Sequence, residues 1–499
     1  MLVKILSSSY LGIEPFLVEV EVDVVNGLPI FNIVGLGDAT ISESRDRIRS
    51  AIKNMGYMLE PRRLIVNLTP ANVKKSGSHF DLPIALGIML GMKFISDYRG
   101  ILSEYLVMGE LSLTGEVRRA EGVISGVLMA KSQGFKGVII PESNFEEASI
   151  IKGIHIVPVK NIRDAVKFIE LGEIRSRRIV NSLKEQKVSI DMWDVKGQST
   201  AKRALEISAA GGHNIIMVGA PGSGKSMLAK RLSTILPPMS EKEIIETTKI
   251  YSVSGELDEK NPIIVNRPFR DPHHTSTATS IIGGGRIPKP GEISLANNGV
   301  LFLDEFTEFD RVVTESLREP LEEKRISITR SLGKMEFPAK MIFVAACNPC
   351  PCGNGFDEDL CTCTPFDIRR YTKKLSGPII DRIDLYIEIY RLNENEILKD
   401  SRGDRSEVIR ERVLEARMIQ NNRFGQEKLN GDMLNEDIEK YCILDKECEK
   451  IIRGAIRSLN LSMRTYHKIL KVARTIADLS GSKNIEKPHL MEAITYRKN

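Results

Sequence analysis

The sequence predicts an α/β protein of several domains, built around a parallel nucleotide-binding sheet and followed by a helical domain. Three observations predict this architecture. A phosphate-loop pattern stands between an apolar strand and a helix, strand and helix patterns alternate on both sides of it, and strand patterns disappear over about the last hundred residues. At 499 residues the chain is too long for one ordinary core, and its 42% apolar share can fill several.

Composition and periodicity divide the chain into four parts. Phe16–Val25 has the period-two apolar spacing of a strand, and Ser42–Met55 has the spacing of a charged amphipathic helix, so the first part predicts an α+β domain. A basic stretch without a clear period predicts an exposed linker. The predicted boundaries are 1–172 for the α+β domain, 173–190 for the linker, 191–390 for the nucleotide-binding core and 391–499 for the helical domain.

The motif GAPGSGKS is the most informative part of the chain, because it fits the phosphate-binding pattern G-x-x-x-x-G-K-[ST]. It follows the apolar run Ile215–Val218, which predicts a buried strand, and precedes the helix pattern Met227–Leu236. Glycines let backbone N–H groups turn onto phosphate oxygens, Lys225 brings a charge to the β/γ-phosphates, and Ser226 offers a hydroxyl to Mg²⁺. The predicted ATP-binding residues are Gly219, Ala220, Pro221, Gly222, Ser223, Gly224, Lys225 and Ser226.

Two further strand ends predict the rest of an ATPase site. The apolar strand Gly299–Leu303 ends in Asp304 and Glu305, and strand ends of this kind line the ligand crevice of a parallel sheet. We expect Asp304 to hold Mg²⁺ through water and Glu305 to polarise the attacking water. A third strand, Met341–Cys347, ends in Asn348, which can hold the lytic water or form an ordinary turn before a proline.

The order of these motifs resembles that of an AAA+ ATPase of the magnesium-chelatase-like group. The phosphate loop, the LFLDE acids and Asn348 are followed by the LSGPIIDRID segment and then by Ser462-Met-Arg. The resemblance assigns Arg382 as an arginine finger that reaches the neighbouring subunit's ATP, and Arg464 as a second sensor that contacts the γ-phosphate from a helical lid. An arginine supplied in trans is worth ~10³ to 10⁵ in turnover. The resemblance therefore implies a homo-oligomer, expected to be a hexameric ring.

The first domain resembles the Lon-protease-like domain that precedes the ATPase in the YifB/ComM family. The segments that carry this resemblance are Phe31–Ile48, Gly77–Leu86 and Gly109–Val117. Lon enzymes need a serine nucleophile and a lysine base converging in one site. Aligning the glycine-bearing segments places His79 at the serine position and Ile124 at the lysine position, so we expect no proteolysis, although Ser76 and Ser78 lie close enough for a shifted alignment.

The family resemblance implies a motor that acts on DNA. ComM-type proteins are hexameric helicases that migrate branched DNA during natural transformation. A hairpin signal over 326–339 and a Gly- and Pro-rich insert over 267–290 resemble the loops that such rings direct into their pore. Basic residues on these loops can bind a phosphate backbone. The candidate DNA-binding residues are Arg330 and Lys334 at the hairpin tip, and Arg286 and Lys289 on the insert.

Two other function classes remain as alternatives. One is a chelatase-type ATPase that drives Mg²⁺ insertion into a porphyrin, suggested by the shared ATPase core. The other is an ATP-dependent protease or unfoldase, which requires a working catalytic dyad in the first domain. ATP turnover that depends on branched DNA favours the motor, whereas casein degradation favours the protease.

Four of the seven cysteines lie within fourteen residues and indicate a metal site. Cys350 and Cys352 form one C-x-C arm, and Cys361 and Cys363 form the other. Four thiolates can close a tetrahedral zinc site. Structural zinc is favoured over unligated thiols, although C-x-C is tighter than the usual C-x₂₋₄-C spacing. The adjacent histidines at 273 and 274 are expected to pack or bond to backbone rather than bind metal.

Charge and hydropathy limit the environment of the chain. Lys and Arg outnumber Asp and Glu by 71 to 66, a net charge of +5 that permits an acidic partner without requiring one. The first residues lack a long apolar signal region, and no stretch reaches the ~18 apolar residues of a membrane span. We therefore expect a cytoplasmic protein, in which seven cysteines do not form a disulfide framework.

Overall fold

The structure is a computed structural model with mixed α/β architecture, parallel sheets and a helical C-terminal stretch, as the sequence predicted. Almost all of the predicted linker, together with Ser76 and Arg286, lies outside the described residues. The residues that the structure describes are 2–75, 77–173, 189–285, 288–330, 333–356, 359–375, 377–391, 403–459 and 461–497.

The described part of residues 2–173 contains a four-stranded sheet, a three-stranded sheet and a two-stranded sheet. The first has the order β1-β2-β4-β3, in which β3 and β4 are parallel and the other pairs are antiparallel. The second is parallel, with the order β5-β8-β9, and β6 pairs antiparallel with β7. The strands are β1 (Leu2–Leu11), β2 (Glu14–Val25), β3 (Phe31–Val34), β4 (Arg63–Thr69), β5 (Tyr105–Val107), β6 (Glu110–Leu111), β7 (Val117–Arg118), β8 (Gly137–Pro141) and β9 (His155–Val159).

The helices of this stretch cover the sheets. Ala39–Asn54 begins after Asp38, whose carboxylate accepts the Ile41 backbone N–H at 3.0 Å and so caps the helix. Asp81–Gly91 is buried almost throughout and packs against β1 and β2, which explains its apolar sequence after Asp81. The helices are Ala39–Asn54, Asp81–Gly91, Ile101–Glu104, Val123–Ser132, Phe145–Ser149 and Ile162–Leu171.

Residues 189–391 are organised around a five-stranded parallel sheet of order β11-β14-β17-β10-β18. Two antiparallel hairpins, β12–β13 and β15–β16, lie outside it. Because all five strands run in one direction, the residues that follow them meet at one edge of the sheet, formed by the carboxyl ends of the strands. The residues that precede the strands lie at the opposite edge, formed by their amino ends. The strands are β10 (Ile215–Gly219), β11 (Phe269–Arg270), β12 (Gly283–Gly284), β13 (Lys289–Pro290), β14 (Val300–Leu303), β15 (Arg325–Arg330), β16 (Gly333–Pro338), β17 (Ile342–Cys347) and β18 (Leu385–Ile389).

Helices cover both faces of this sheet, and the one after the phosphate loop begins at Lys225, two residues earlier than its apolar pattern indicated. Glu241–Ser254 starts with a capping box in which Ser240 and Glu243 satisfy each other's backbone N–H groups. The helices are Ser199–Gly211, Lys225–Ile235, Glu241–Ser254, Ala278–Ile282, Glu292–Leu295, Arg311–Ser316, Arg318–Glu323, Pro365–Thr372 and Gly377–Ile380.

The C-terminal stretch is helical and shares a hydrophobic core with one face of the parallel sheet. Leu470 and Ala473 belong to the same buried cluster as Ile215 and Met217 of β10. These helices are therefore fixed against the sheet by apolar packing. They are Ser406–Phe424, Asn435–Tyr441, Lys446–Leu459, Met463–Leu479 and Lys487–Thr495.

The first stretch docks onto the two hairpins of the second. Ile13, in the turn between β1 and β2, is buried in one apolar cluster with Met335 and Phe337 of the β15–β16 hairpin. Lys289 of β13 forms an ion pair with Glu121 at 2.9 Å. Both hairpins that carry the candidate DNA-binding residues therefore contact the N-terminal stretch.

None of the helices in the described part of the chain is long and apolar enough to cross a membrane.

Removing the charge of Asp478 is expected to destabilise the C-terminal helices. This carboxylate is fully buried and accepts hydrogen bonds from Arg423, Arg474 and Asn430. Asp478→Asn leaves two guanidinium groups without their counter-charge, at a cost of about 3–5 kcal/mol. Hydrogen exchange of the amides in Met463–Leu479 should accelerate accordingly. The exposed pair of Lys487 and Glu447 provides the control, because Glu447→Gln should leave exchange unchanged. Wild-type exchange in Asp478→Asn would contradict the prediction.

Candidate nucleotide-binding site

The predicted phosphate loop connects the end of β10 to the helix Lys225–Ile235. Gly222 and Gly224 have φ angles of +76° and +93°, a left-handed conformation that turns their backbone N–H groups inward. Nothing lies within 4 Å of the Cβ position at either residue, so the loop surrounds open space. The hydroxyl of Ser223 is buried and has no hydrogen-bond partner among the described residues. Together with the free amides of a helix N-terminus, these features fit a bound phosphate chain.

Lys225 joins the phosphate loop to the end of the neighbouring strand β17. The side chain is buried, and its Nζ donates to the carbonyl oxygens of Gly219 and Ala220 at 2.7 and 3.0 Å and to Oδ1 of Asn348 at 3.3 Å. Burial lowers the pKa of the Lys225 ammonium, and the charge of Asp304 opposes that shift. The structure thus brings together Lys225, Asn348 and Asp304.

Ser226 and Asp304 form the predicted magnesium-binding pair. The Ser226 hydroxyl donates to Oδ2 of Asp304 at 2.5 Å, so the first turn of the helix contacts the end of β14 directly. A hydroxyl and a carboxylate are hard oxygen donors of the kind that Mg²⁺ prefers. The residues present therefore fit this ion, with the remaining ligands supplied by phosphate oxygens and water.

Glu305 has a partner that sequence reasoning did not identify. Its Oε2 lies 3.2 Å from Nδ1 of His274, and its backbone is left-handed with a φ of +50°. His274 follows β11, which is the hydrogen-bonded neighbour of β14, so the two strand ends are adjacent. Because β11 has only two residues, it gave no periodic signal in the sequence. The other histidine, His273, instead contacts the Thr275 hydroxyl at 2.9 Å.

Arg382 lies at the opposite edge of the sheet from the phosphate loop. It precedes β18, and its carbonyl accepts a hydrogen bond at 3.1 Å from Nδ2 of Asn214, which precedes β10. The five residues of β10 separate that edge from the phosphate loop by about 16 Å, at roughly 3.3 Å per residue. Arg382 therefore lies at a different edge of the sheet from the one that can bind phosphate on its own chain.

Arg464 lies beside Arg382, and one carboxylate holds both. Nη2 of Arg464 donates to Oε1 of Glu322 at 2.8 Å, and Nη2 of Arg382 donates to Oε2 of the same residue. The structure therefore does not bring Arg464 to its own phosphate loop. Glu322 lies on a short helix before β15, and no motif indicated it.

The candidate DNA-binding residues are placed on two neighbouring hairpins. Arg330 and Gly333 form the last register pair of β15–β16, and the Arg330 guanidinium lies 3.9 Å from the Cβ position of Gly284 in β12. Arg330 is exposed, and within the described residues no carboxylate forms an ion pair with it. Lys334 pairs with Glu336 at 2.8 Å. Lys289 pairs with Glu121, as described above.

The four clustered cysteines converge as their spacing predicted. Their Sγ atoms all lie within 4.8 Å of one another, close enough to hold one metal ion. Hydrogen bonds from backbone N–H groups, chiefly that of Asn354, lower the pKa of the Cys352 thiol to about 6. Burial raises the pKa of the Cys350 thiol to about 12.

The N-terminal stretch shows no serine–lysine dyad among its described residues. His79 is buried, its Nε2 lies 2.8 Å from the Ser8 carbonyl oxygen, and burial lowers its pKa to about 4. Ile124 is fully buried in an apolar cluster. The Ser78 hydroxyl donates to Glu110 rather than to a lysine. The residues at the positions that a Lon-type alignment assigns to catalysis therefore make other contacts.

Three family models match the chain, one in each stretch. They are Magnesium chelatase, subunit ChlI, over residues 191–397; Subunit ChlI of Mg-chelatase, over residues 20–144; and Magnesium chelatase, subunit ChlI C-terminal, over residues 403–497.

Similar proteins include members of one bacterial family along nearly the whole chain. Competence protein ComM of Haemophilus influenzae is 42% identical over 499 residues, covering 98% of this chain and 96% of that protein. The uncharacterized protein YifB of Escherichia coli is 40% identical over 490 residues, covering 98% and 95%. A more distant match is the DNA replication licensing factor mcm-6 of Caenorhabditis briggsae, 22% identical over 332 residues, covering 62% and 36%. The chain therefore belongs to the YifB/ComM family of magnesium-chelatase-like AAA+ proteins.

Proposed function

We propose that this protein is an ATP-hydrolysing ring motor that acts on DNA. The observation that carries the proposal is the division of the site between two edges of one sheet. Lys225, Ser226, Asp304 and Asn348 converge at the edge that can bind a nucleotide, whereas Arg382 lies at the other edge. A site divided in this way is complete only when two subunits meet.

Each residue at the first edge has a distinct role in the proposal. The phosphate loop binds the phosphate chain, and Lys225 supplies positive charge to the β/γ-phosphates. Ser226 and Asp304 hold Mg²⁺, which neutralises phosphate charge when bound. Glu305 orients and polarises the attacking water, and Asn348 holds that water in line. His274 restrains the Glu305 side chain in the conformation seen here.

At the second edge, Arg382 and Arg464 act on the neighbouring subunit's ATP. Both guanidinium groups contact Glu322 and so lie beside each other, which allows a single interface to deliver both. Arg382 serves as the arginine finger and Arg464 as the second sensor. A ring, expected to be a hexamer, provides each subunit with both an edge that binds ATP and an edge that completes the next site.

DNA is the proposed substrate of the motor. The β12–β13 and β15–β16 hairpins lie side by side outside the sheet. Arg330, at the end of β15, is free of carboxylate partners among the described residues. The similarity of the chain to a competence protein and to a DNA replication licensing factor favours this substrate. We propose branch migration of DNA during natural transformation as the physiological activity, carried out in the cytoplasm.

The N-terminal stretch has a supporting role in this proposal. We assign residues 1–172 to a Lon-protease-like domain without proteolytic activity, residues 191–390 to the AAA+ core and residues 391–499 to the helical lid. The contact of Ile13 with the β15–β16 hairpin favours a role in positioning the DNA-binding loops. A chelatase-type role draws support from the match of the ATPase core to magnesium chelatase, subunit ChlI.

Substitutions at Lys225 and Glu305 should separate binding from hydrolysis. Lys225→Ala removes the buried ammonium and should weaken binding of a fluorescent ATP analogue. Glu305→Gln keeps the shape of the side chain but cannot accept a proton, so it should bind ATP normally and turn it over about 10² to 10⁴ times more slowly. Fluorescence titration and phosphate release measure the two effects. If both variants bound the ATP analogue and turned over ATP as the wild-type protein does, the assignment would be contradicted.

Mixing inactive variants should restore activity if the site is shared between subunits. Arg382→Ala and Glu305→Gln are each expected to reduce turnover to a small residual rate. In a mixed ring, an Arg382→Ala subunit retains Glu305 and can receive the arginine of an adjacent Glu305→Gln subunit. Phosphate release by the 1:1 mixture should therefore exceed that of either variant alone. Additive activity, in rings whose mixing is verified by mass spectrometry, would show that Arg382 does not act in trans.

The stimulation of ATP turnover by DNA should depend on Arg330. Arg330→Ala removes the exposed guanidinium and should weaken binding to four-way DNA, with a smaller salt dependence because fewer phosphates are neutralised. Stimulation of ATP turnover by that DNA should fall in parallel, while turnover without DNA stays unchanged. The matched control is Arg453→Ala, which removes an exposed arginine from the helix Lys446–Leu459. DNA stimulation at the wild-type level in Arg330→Ala would contradict this assignment.

A further inference from the structure

The segment that carries the four cysteines packs directly against the phosphate loop. Gly353 is buried and has a left-handed φ of +85°. A Cβ at this position would come within 2.6 Å of Cδ of Pro221 in the loop. Nη2 of Arg391 lies 3.5 Å from both the Pro221 carbonyl oxygen and Oδ1 of Asn354, which links the two segments a second time. The cysteine segment is thus one wall of the phosphate loop.

The spacing of the thiols is close to that of a tetrahedral zinc site. Sγ of Cys361 lies 3.7 Å from Sγ of Cys352 and 3.9 Å from Sγ of Cys350, and the latter two are 3.3 Å apart. A zinc–sulfur distance of about 2.3 Å gives sulfur–sulfur distances of about 3.8 Å in a tetrahedron. The Cys352 backbone N–H also donates to Sγ of Cys363 at 3.4 Å. Four sulfur ligands leave no open position, which is typical of structural zinc.

The described residues of this segment show little regular structure and little apolar burial. Between β17 and the helix Pro365–Thr372, the described residues contain turns but no helix or strand. Among the described residues of that interval, only Cys350 and Gly353 are buried, while Phe356 and Leu360 are exposed. Apolar burial therefore contributes little to ordering the segment, although fixing each backbone residue costs about 1–2 kcal/mol. Metal binding supplies this kind of ordering energy in small segments without a hydrophobic core.

The segment also continues directly from a residue of the nucleotide site. Asn348, which contacts Lys225, is two residues before Cys350. We propose that Cys350, Cys352, Cys361 and Cys363 bind one structural zinc ion, and that the zinc-bound segment holds the phosphate loop in its nucleotide-binding conformation. Loss of zinc releases both the Pro221 contact and the chain that leads from Asn348. This inference rests on the proposed ATP binding and adds a metal requirement to it.

The first test compares zinc content with nucleotide affinity. Purified wild-type protein should contain about one zinc ion per chain by elemental analysis. The double variant Cys361→Ser and Cys363→Ser should contain none, and should bind a fluorescent ATP analogue about tenfold more weakly, a loss of ~1.4 kcal/mol. Cys442→Ala, which removes a buried cysteine outside the cluster, should keep both zinc and affinity. Treating wild-type protein with a zinc chelator should reproduce the loss, and added zinc should reverse it.

A second variant tests the contact without touching the ligands. Gly353→Ala places a methyl group against Pro221, so it should retain zinc but lose ATP affinity by about tenfold. Gly425→Ala is the matched control, because Gly425 has a similar left-handed φ of +66° but nothing within 4 Å of its Cβ position. If the double cysteine variant does not fold, the comparison of Gly353→Ala with Gly425→Ala tests the inference in its place.

Three results would overturn the inference. The first is less than half a zinc ion per wild-type chain with freely reactive thiols. The second is unchanged ATP affinity after zinc removal and in Gly353→Ala, which would leave the proposed ATPase function standing. The third is zinc-loaded wild-type protein that binds no ATP, which would overturn both the inference and the proposed function.

Discussion

The five strands of the central sheet all run in one direction, and this common direction positions every residue of the candidate site. Because β10, β14 and β17 run the same way, Lys225, Asp304 and Asn348 meet at one edge. The same geometry places Arg382, which precedes β18, at the other edge. Groups at opposite edges cannot serve one nucleotide on one chain. The account of a shared site follows from this topology, together with the family to which the chain belongs.

Packing around the sheet links the two edges to the other parts of the chain. On one face, the C-terminal helices share the core of the sheet, which fixes Arg464 beside Arg382. On the other face, the N-terminal turn at Ile13 packs with the β15–β16 hairpin. At the nucleotide edge, Gly353 contacts Pro221. In this account, movement at any one of these contacts changes the position of a loop that binds nucleotide or DNA.

Motifs with strict spacing were predictable from the sequence, whereas contacts between distant segments were not. The phosphate loop and the strands ending in Asp304 and Asn348 lie where their patterns placed them, since burial imposes an unbroken apolar run on each central strand. The two-residue strand β11 has no period to detect, so the contact between His274 and Glu305 was missed. Glu322 could not be predicted either, because an exposed glutamate on a short helix resembles any other until tertiary packing brings two arginines to it.

In the proposed ring, a second subunit completes each ATP site. The most direct test follows ATP turnover per chain during dilution, while mass photometry reports the fraction of assembled protein. If the site is shared, turnover per chain falls in step with the assembled fraction and vanishes for the monomer, although the monomer still binds a fluorescent ATP analogue. Constant turnover per chain at dilutions where the protein is monomeric would contradict the account.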